Sequence, residues 1–507
     1  MVVGYKLQDS SIIVPMSERI AQSRFFNRLF HIIVPVLAWL TITLPVWLSP
    51  FHPAIVAYFI LSFNIYFFYK SAVTMYYAVL SYKTINIHQK ISYSSKLKKL
   101  SKAKDIYHFI VIPNYKEPLH KLDESMAQLA KMDYPFRRPS VVLAFESREE
   151  EALPKAKALI AKHKRSFNSI IQTYHTLMPG EAAGKASNQS YACQRIEEYC
   201  IQENIPFKDA LITIADADSM FPKNYFSYLT YEFIKDKGNL YHFYWAPVLL
   251  YNNFWQLPFF MRMQATLSSI FRLAFLSQRK KLIQISTYST NLWLLKQLNY
   301  WDTDIIPEDW HIYFQAFFKF GERVKTLPLF TIINADAVYS GGVFKTLVNR
   351  YEQEKRWAWG VSDIGYALVN SFKDTSIPFM TKTRKIMYLA ETHLLWPTSF
   401  FILTVSALIP PLINPVFKRT VLGFLLPQFS SFVLTLSTSF LLVYTYLDVK
   451  LRKKLKQKTS AYSLPFLIIQ WYLLPIVSFV LSSLPALDAH TRMIFGKKLD
   501  YKVTEKV

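Results

Sequence analysis

Residues 30–49 and 54–80 are apolar runs of bilayer-spanning length, separated only by Pro50-Phe51-His52-Pro53, and a second such pair covers 386–409 and 420–447. A hydrocarbon core of ~30 Å takes about 20 apolar residues in a helix. Backbone groups in lipid find no water to bond, so each run is confined to helix. Four linking residues permit only a tight hairpin. The chain is therefore committed to two helical hairpins bracketing about 300 residues. A fifth apolar stretch, 461–487, is broken by Pro465, Pro475 and Pro485. Prolines at ten-residue intervals disfavour one straight span, so an interfacial or re-entrant helix pair is expected there. Lys70, inside the second run, is expected to snorkel toward a headgroup. Glu391 and His393 lie inside the third, where ionisable side chains line a cavity or pathway or pack against headgroups.

The net charge of +24 invites a nucleic-acid partner, but its distribution argues against one. Seven lysines and no acid lie between Lys83 and Lys104, six basic residues between Lys450 and Lys458, and Lys382, Arg384 and Lys385 precede the third run. Cations that hug the spans follow the positive-inside rule and do not track a groove. They put residues 1–29, 82–385 and 449–460 in the cytosol, behind a first segment expected to be a retained anchor. Apolar residues at 51% and charged ones at only 19% are too greasy a blend for an ordinary soluble enzyme. Cys193 and Cys200 stand roughly 10 Å apart along a helix, too far for a disulfide, so reduced thiols are expected.

Between the hairpins the pattern alternates. Strands are expected over 106–113, 140–145, 169–174 and 211–215, and helices over 121–131, 149–164 and 185–202. That order implies a mostly parallel α/β sheet with right-handed crossovers. Ligands of such sheets sit at the carboxyl ends of the strands. There L-I-T-I-A-D-A-D ends in Asp216 and Asp218, which face one side because side chains alternate. Paired carboxylates repel unless a cation intervenes, and a hard divalent ion serves best. An Asp pair in a plain turn is the alternative. Gly184-Lys185 opens a helix, where N–H groups and an ammonium favour an anion. Pro307-Glu308-Asp309-Trp310 precedes a helical run, with Asp309 also suited to cap it. Gln353, Arg356 and Trp357 share one helix face, fit to bind diphosphate oxygens and stack a sugar ring. An amphipathic membrane-surface helix would carry Arg and Trp equally well. Neither G-x-G-x-x-G nor a P-loop occurs.

D-x-D, then E-D, then Q-x-x-R-W, flanked by membrane hairpins, resembles the family 2 membrane glycosyltransferases, the processive group of cellulose, chitin, mannan and hyaluronan synthases. The resemblance covers Ile112 to the C-terminus and implies a GT-A core, inversion, and Mg²⁺ or Mn²⁺. It implies that Tyr115 and Glu117 hold the nucleotide, with Glu146 where the family has an aspartate. Lys185 would lie near the diphosphate, and Asp216 and Asp218 would bind nucleotide-sugar and metal. Asp309 would be the general base, with Glu308, Gln353, Arg356 and Trp357 at the acceptor and diphosphate. The final Tyr501-Lys502-Val503-Thr504-Glu505-Lys506 resembles the family's F-x-V-T-x-K gating loop, implying gating roles for Tyr501, Val503, Thr504 and Lys506.

The expected organisation is a cytosolic tail over 1–29, a hairpin over 30–81, a catalytic domain over 105–345 and interface helices over 346–385. A second hairpin over 386–448, interfacial helices over 461–490 and a gating-type tail over 491–507 follow. The expected protein is an integral membrane enzyme of a bacterial-type plasma membrane. It would move a sugar from a UDP- or GDP-sugar to a polysaccharide, with single addition to a lipid acceptor as the alternative. Its partners would be donor, acceptor and membrane lipids, without nucleic acid. A transporter or channel would account for Glu391 and His393 but leave the three motifs idle.

Overall fold

Nine strands form between the membrane-type helices: β1 Tyr107–Pro113, β2 Ser140–Glu146, β3 Ile170–His175, β4 Ala210–Ile214, β5 His242–Trp245, β6 Val248–Leu249, β7 Tyr288–Asn291, β8 Lys325–Pro328 and β9 Ile333–Asn334. The computed structural model describes residues 23–454, 464–497 and 499. Seven strands make one sheet, ordered β3-β2-β1-β4-β7-β5-β8, while β6 and β9 pair separately. β1 runs parallel to β2 and β4, and β2 parallel to β3. β7 runs antiparallel to both β4 and β5. The sheet is thus mostly parallel, as the alternating pattern implies.

The continuous apolar runs arise because the central strands are buried on both faces. Phe109, Val111, Ile212 and Ile214 point into one core, shared with Ala192, Cys193, Ile196 and Cys200 of the Lys185–Gln202 helix. Ile110, Ile112 and Leu211 point into the other, shared with Leu122 and Met126 of the Leu119–Leu129 helix. Both cysteines are buried free thiols. In-register pairing brings Pro113 opposite Ala144 and Val111 opposite Ile214, so the carboxyl ends of β1, β2 and β4 form one edge.

Among the described residues, four helices are long and apolar enough to cross a membrane: Arg24–Leu48, Pro53–His88, Val421–Lys453 and Leu467–Ile494. The expected third span is instead a pair, Phe379–Thr404 and Ser406–Ile413, bent by 46°. The last stretch also departs from expectation, forming one long helical run. Its prolines change the winding instead of ending it: Pro475 and Pro485 each stand at the start of a new segment, where a missing N–H is tolerated, around a π turn at Phe479–Ser483. Lys70 does not stand alone at a headgroup, because its ammonium lies 2.5 Å from Glu391 Oε1, which Tyr66 also contacts. An ionic partner inside an apolar bundle removes the need to reach water. Arg28, at the start of the first helix, donates to the Met493 and Ile494 carbonyls at 2.7 Å, tying the end of the last helix to it.

Candidate active site

The antiparallel strand β7 positions the centre of the site. Tyr288 pairs with Ile214, so the two residues before β7 lie beside the carboxyl end of β4. There Ser286 takes a left-handed backbone, φ +66°, a conformation costing a non-glycine residue about 1–3 kcal/mol. All three of its polar groups are engaged. Its N–H donates to Asp309 Oδ2 at 2.6 Å, its hydroxyl contacts Asp216 Oδ2, and its carbonyl accepts from Lys185 Nζ at 2.9 Å. Such strain persists only where the surroundings hold it, and here three charged side chains do.

Lys185 is the first residue of its helix, as its sequence context implies. Its ammonium lies 2.8 Å from Asp216 Oδ1 and 3.6 Å from Glu308 Oε1. Burial opposes that charge, yet Asp216, Asp309 and Glu308 outweigh it and hold the Lys185 pKa above its usual value. Asp309 stands in the first turn of the Glu308–Phe320 helix, and Pro307, not Asp309, takes the capping position. A helix N-terminus favours a carboxylate by ~0.3–1 kcal/mol. Burial and the adjacent Glu308 charge prevail over that, and Asp216 adds to them. They lift Asp309 to about 8 against the pull of Lys185 and the Ser286 N–H. A carboxyl that titrates near neutrality suits proton transfer.

Asp218 is buried, and its Oδ2 accepts the Asp336 N–H at 2.9 Å. Asp336 in turn pairs with Lys121 at 2.8 Å. Among the described residues no group of three or more His, Cys, Asp or Glu is spaced to hold a metal ion. The hard oxygens of Asp216 and Asp218 still fit a small divalent cation, because Mg²⁺ takes one or two carboxylates and completes its shell with substrate phosphates and water.

A small cavity opens from Asp216 and Ser286, and Asp336, Gln353, Trp357 and Arg272 share its lining. The D-x-D and Q-x-x-R-W motifs, some 140 residues apart in sequence, thus meet at one wall. Arg356, half-buried, follows on the same helix, Val343–Ala358. The Gln353 side-chain amide oxygen, Oε1, accepts from Arg350, which also pairs with Glu354. The Arg350 and Arg272 guanidinium carbons lie 4.6 and 5.6 Å from the Trp357 ring centroid. Burial, reinforced by Arg350, lowers the Arg272 pKa to about 10, against the opposing pull of Asp216, Glu354 and Asp309.

Tyr115, Glu117 and Glu146 gather at the neighbouring ends of β1 and β2. Arg148 bonds Glu146 at 2.5 Å and lies 4.1 Å over the Tyr115 ring. Glu149 accepts the Lys116 N–H at 2.8 Å and pairs with Lys155, which donates to the Glu117 carbonyl at 3.0 Å. Tyr501, Val503, Thr504 and Lys506 lie outside the described residues. The sequence reading missed Ser286, Arg272, Arg350, Asp336 and Arg148. Only Arg148, two residues beyond Glu146 at a strand end, carried a local signal.

Residues 211–448 match the model of a family described as glycosyl transferase family group 2. The match starts at β4, takes in Asp216, Asp218, Asp309 and the Gln353–Trp357 segment, and ends in the Val421–Lys453 helix. No curated protein matches the chain. The chain is a glycosyltransferase with a GT-A-like, mostly parallel sheet, and its flanking helices are of membrane-spanning length.

Proposed function

We propose that this family 2 glycosyltransferase domain transfers a sugar from a UDP- or GDP-sugar to a growing polysaccharide, with inversion at the anomeric carbon. The observation that carries the reading is the shared hold of Ser286 on Asp216 and Asp309, at the mouth of a cavity lined by Gln353 and Trp357. Asp309 takes the proton of the acceptor hydroxyl, whose oxygen forms the new bond as the bond from the anomeric carbon to phosphate oxygen breaks. General-base help of this kind is worth ~10²–10⁴-fold. Lys185 and Asp216 orient the donor; Tyr115, Glu117 and Glu146 hold its nucleoside. Glu308, Gln353, Arg356 and Trp357 hold acceptor and diphosphate. Asp218 with Asp216 would hold Mg²⁺ or Mn²⁺, which when bound offsets diphosphate charge. In the family resemblance the 501–506 segment closes over the donor. Burying the site behind such a segment would exclude water.

The catalytic domain faces the cytosol on this reading, supported by the lysines flanking the spans. Arg28 at the Met493 and Ile494 carbonyls further supports it, because the end of the last helix is tied to the start of the first. The test is a panel of nucleotide sugars offered to the purified protein with and without Mg²⁺ or Mn²⁺, with product length read by mass spectrometry. Long products from one donor support the reading. Single-addition products would replace the polysaccharide acceptor with a lipid, and failure to consume any nucleotide sugar would overturn it.

A further inference from the structure

His311 lies two residues beyond Asp309 on the same helix, buried, with a carboxylate at each ring nitrogen. Nδ1 is 2.8 Å from Asp363 Oδ1, and Nε2 is 2.8 Å from Asp302 Oδ2. An imidazole between two acceptors satisfies both only when both nitrogens carry protons. The carboxylates belong to different elements. Asp302 is in the loop that enters the Glu308–Phe320 helix. Asp363 is in the first turn of the Ser362–Lys373 helix, which continues from the helix of Gln353 and Trp357 through one turn, Trp359–Val361. Two further groups face the cluster. The Tyr366 ring lies 4.3 Å from the imidazole. His31, from the first membrane-type helix, packs on Gly365 so closely that a Cβ there would meet its ring at 2.6 Å, and it acts electrostatically on Asp363.

We infer that His311 is a positioning residue: its paired bonds to Asp302 and Asp363 fix the turn that carries Asp309 against the element that carries Trp357. The inference rests on Asp309 being the base. A base displaced by ~1 Å from its acceptor loses on the order of 10²-fold in rate. The brace therefore acts on turnover more than on donor affinity. Burial would lower the imidazole pKa, but Asp363 and Asp302 outweigh it and raise it to about 9. Because the folded value is raised, the brace is complete below the ordinary imidazole value and is lost as pH rises through about 9.

The test compares His311→Gln and Asp302→Asn with the intact enzyme across pH 6–10. Asp302 is half exposed and His311 is buried, so Asp302→Asn is the less disruptive of the two substitutions. Both variants are expected to lower kcat at least tenfold with donor KM changed less than twofold. Asp302→Asn should also move the falling limb of kcat below pH 9. A kcat within twofold of the parent, or an unmoved limb, overturns the brace. Asp309→Asn separates the two readings. If it is inactive while Asp302→Asn is unaffected, the base stands and the brace falls; if it is fully active, the base reading itself falls.

Discussion

The Ser286 backbone N–H reaches Asp309 Oδ2 at 2.6 Å from a left-handed conformation, so a strained residue aims the carboxylate proposed as base. The same residue holds Asp216 and Lys185. Motion at any one of these side chains passes to the others through a single residue.

Ser286→Gly keeps the N–H and carbonyl, removes the strain and loses only the hydroxyl to Asp216. It should be more stable than Ser286→Ala by about 1 kcal/mol, since only glycine accepts φ +66° freely. Denaturant unfolding of the two variants checks this. Equal midpoints would mean that the φ at 286 carries no strain.

Free-enzyme kcat/KM should rise with pH through about 8, as Asp309 becomes ionised. Glu308→Gln removes the like charge beside it, so the rising limb should move to lower pH. A pH–rate series on both proteins decides, and a limb at the same pH in both would dismiss Glu308 as the cause.

Asp309→Asn should bind donor and lose transfer by ~10²–10⁴-fold. It should also be the more stable protein at pH 8. Asp309 has a raised folded pKa, so the unfolded chain gives up its proton near pH 4 while the native chain holds it until about 8. Native stability therefore falls across that window. The amide escapes the penalty. A melting temperature below the parent's at pH 8 would contradict the sign.

Arg272 brings a guanidinium to the cavity beside Trp357 and feels both Asp216 and Asp309. Arg272→Gln should depress kcat/KM at least tenfold. Arg272→Lys should recover only part of the loss, because an ammonium lacks the planar fork. Full activity in the lysine variant would reduce Arg272 to a point charge.

Much of this architecture is written in local pattern. The helix expected over 185–202 forms as Lys185–Gln202, and the strand expected over 211–215 forms as Ala210–Ile214. Both carry strong signals, one an opening Gly-Lys and the other an uncharged run rich in apolar and β-branched residues. Ser286 carried none. β7 is a four-residue strand, Tyr288–Asn291, too short and polar to stand out, and only its antiparallel pairing with β4 brings Ser286 to the site. Arg272 was hidden for a similar reason, as one cation on an amphipathic helix, Phe259–Leu276, whose facing partner lies far along the chain. Pro475 and Pro485 do not break the last helical run because each falls where a helical segment restarts.

Three carboxylates, Asp216, Glu308 and Asp309, surround the Lys185 ammonium, and Ser286 ties Asp216 and Asp309 to that lysine. The charges around Asp309 hold its proton, so its apparent ionisation constant reflects Glu308, Lys185 and Asp216 as well as its own carboxyl. A ligand carrying diphosphate charge perturbs the whole set when it docks. Donor binding should therefore exchange protons with solvent, and its calorimetric heat should change with the ionisation enthalpy of the buffer. Donor affinity in this protein is in that sense a proton-linked equilibrium.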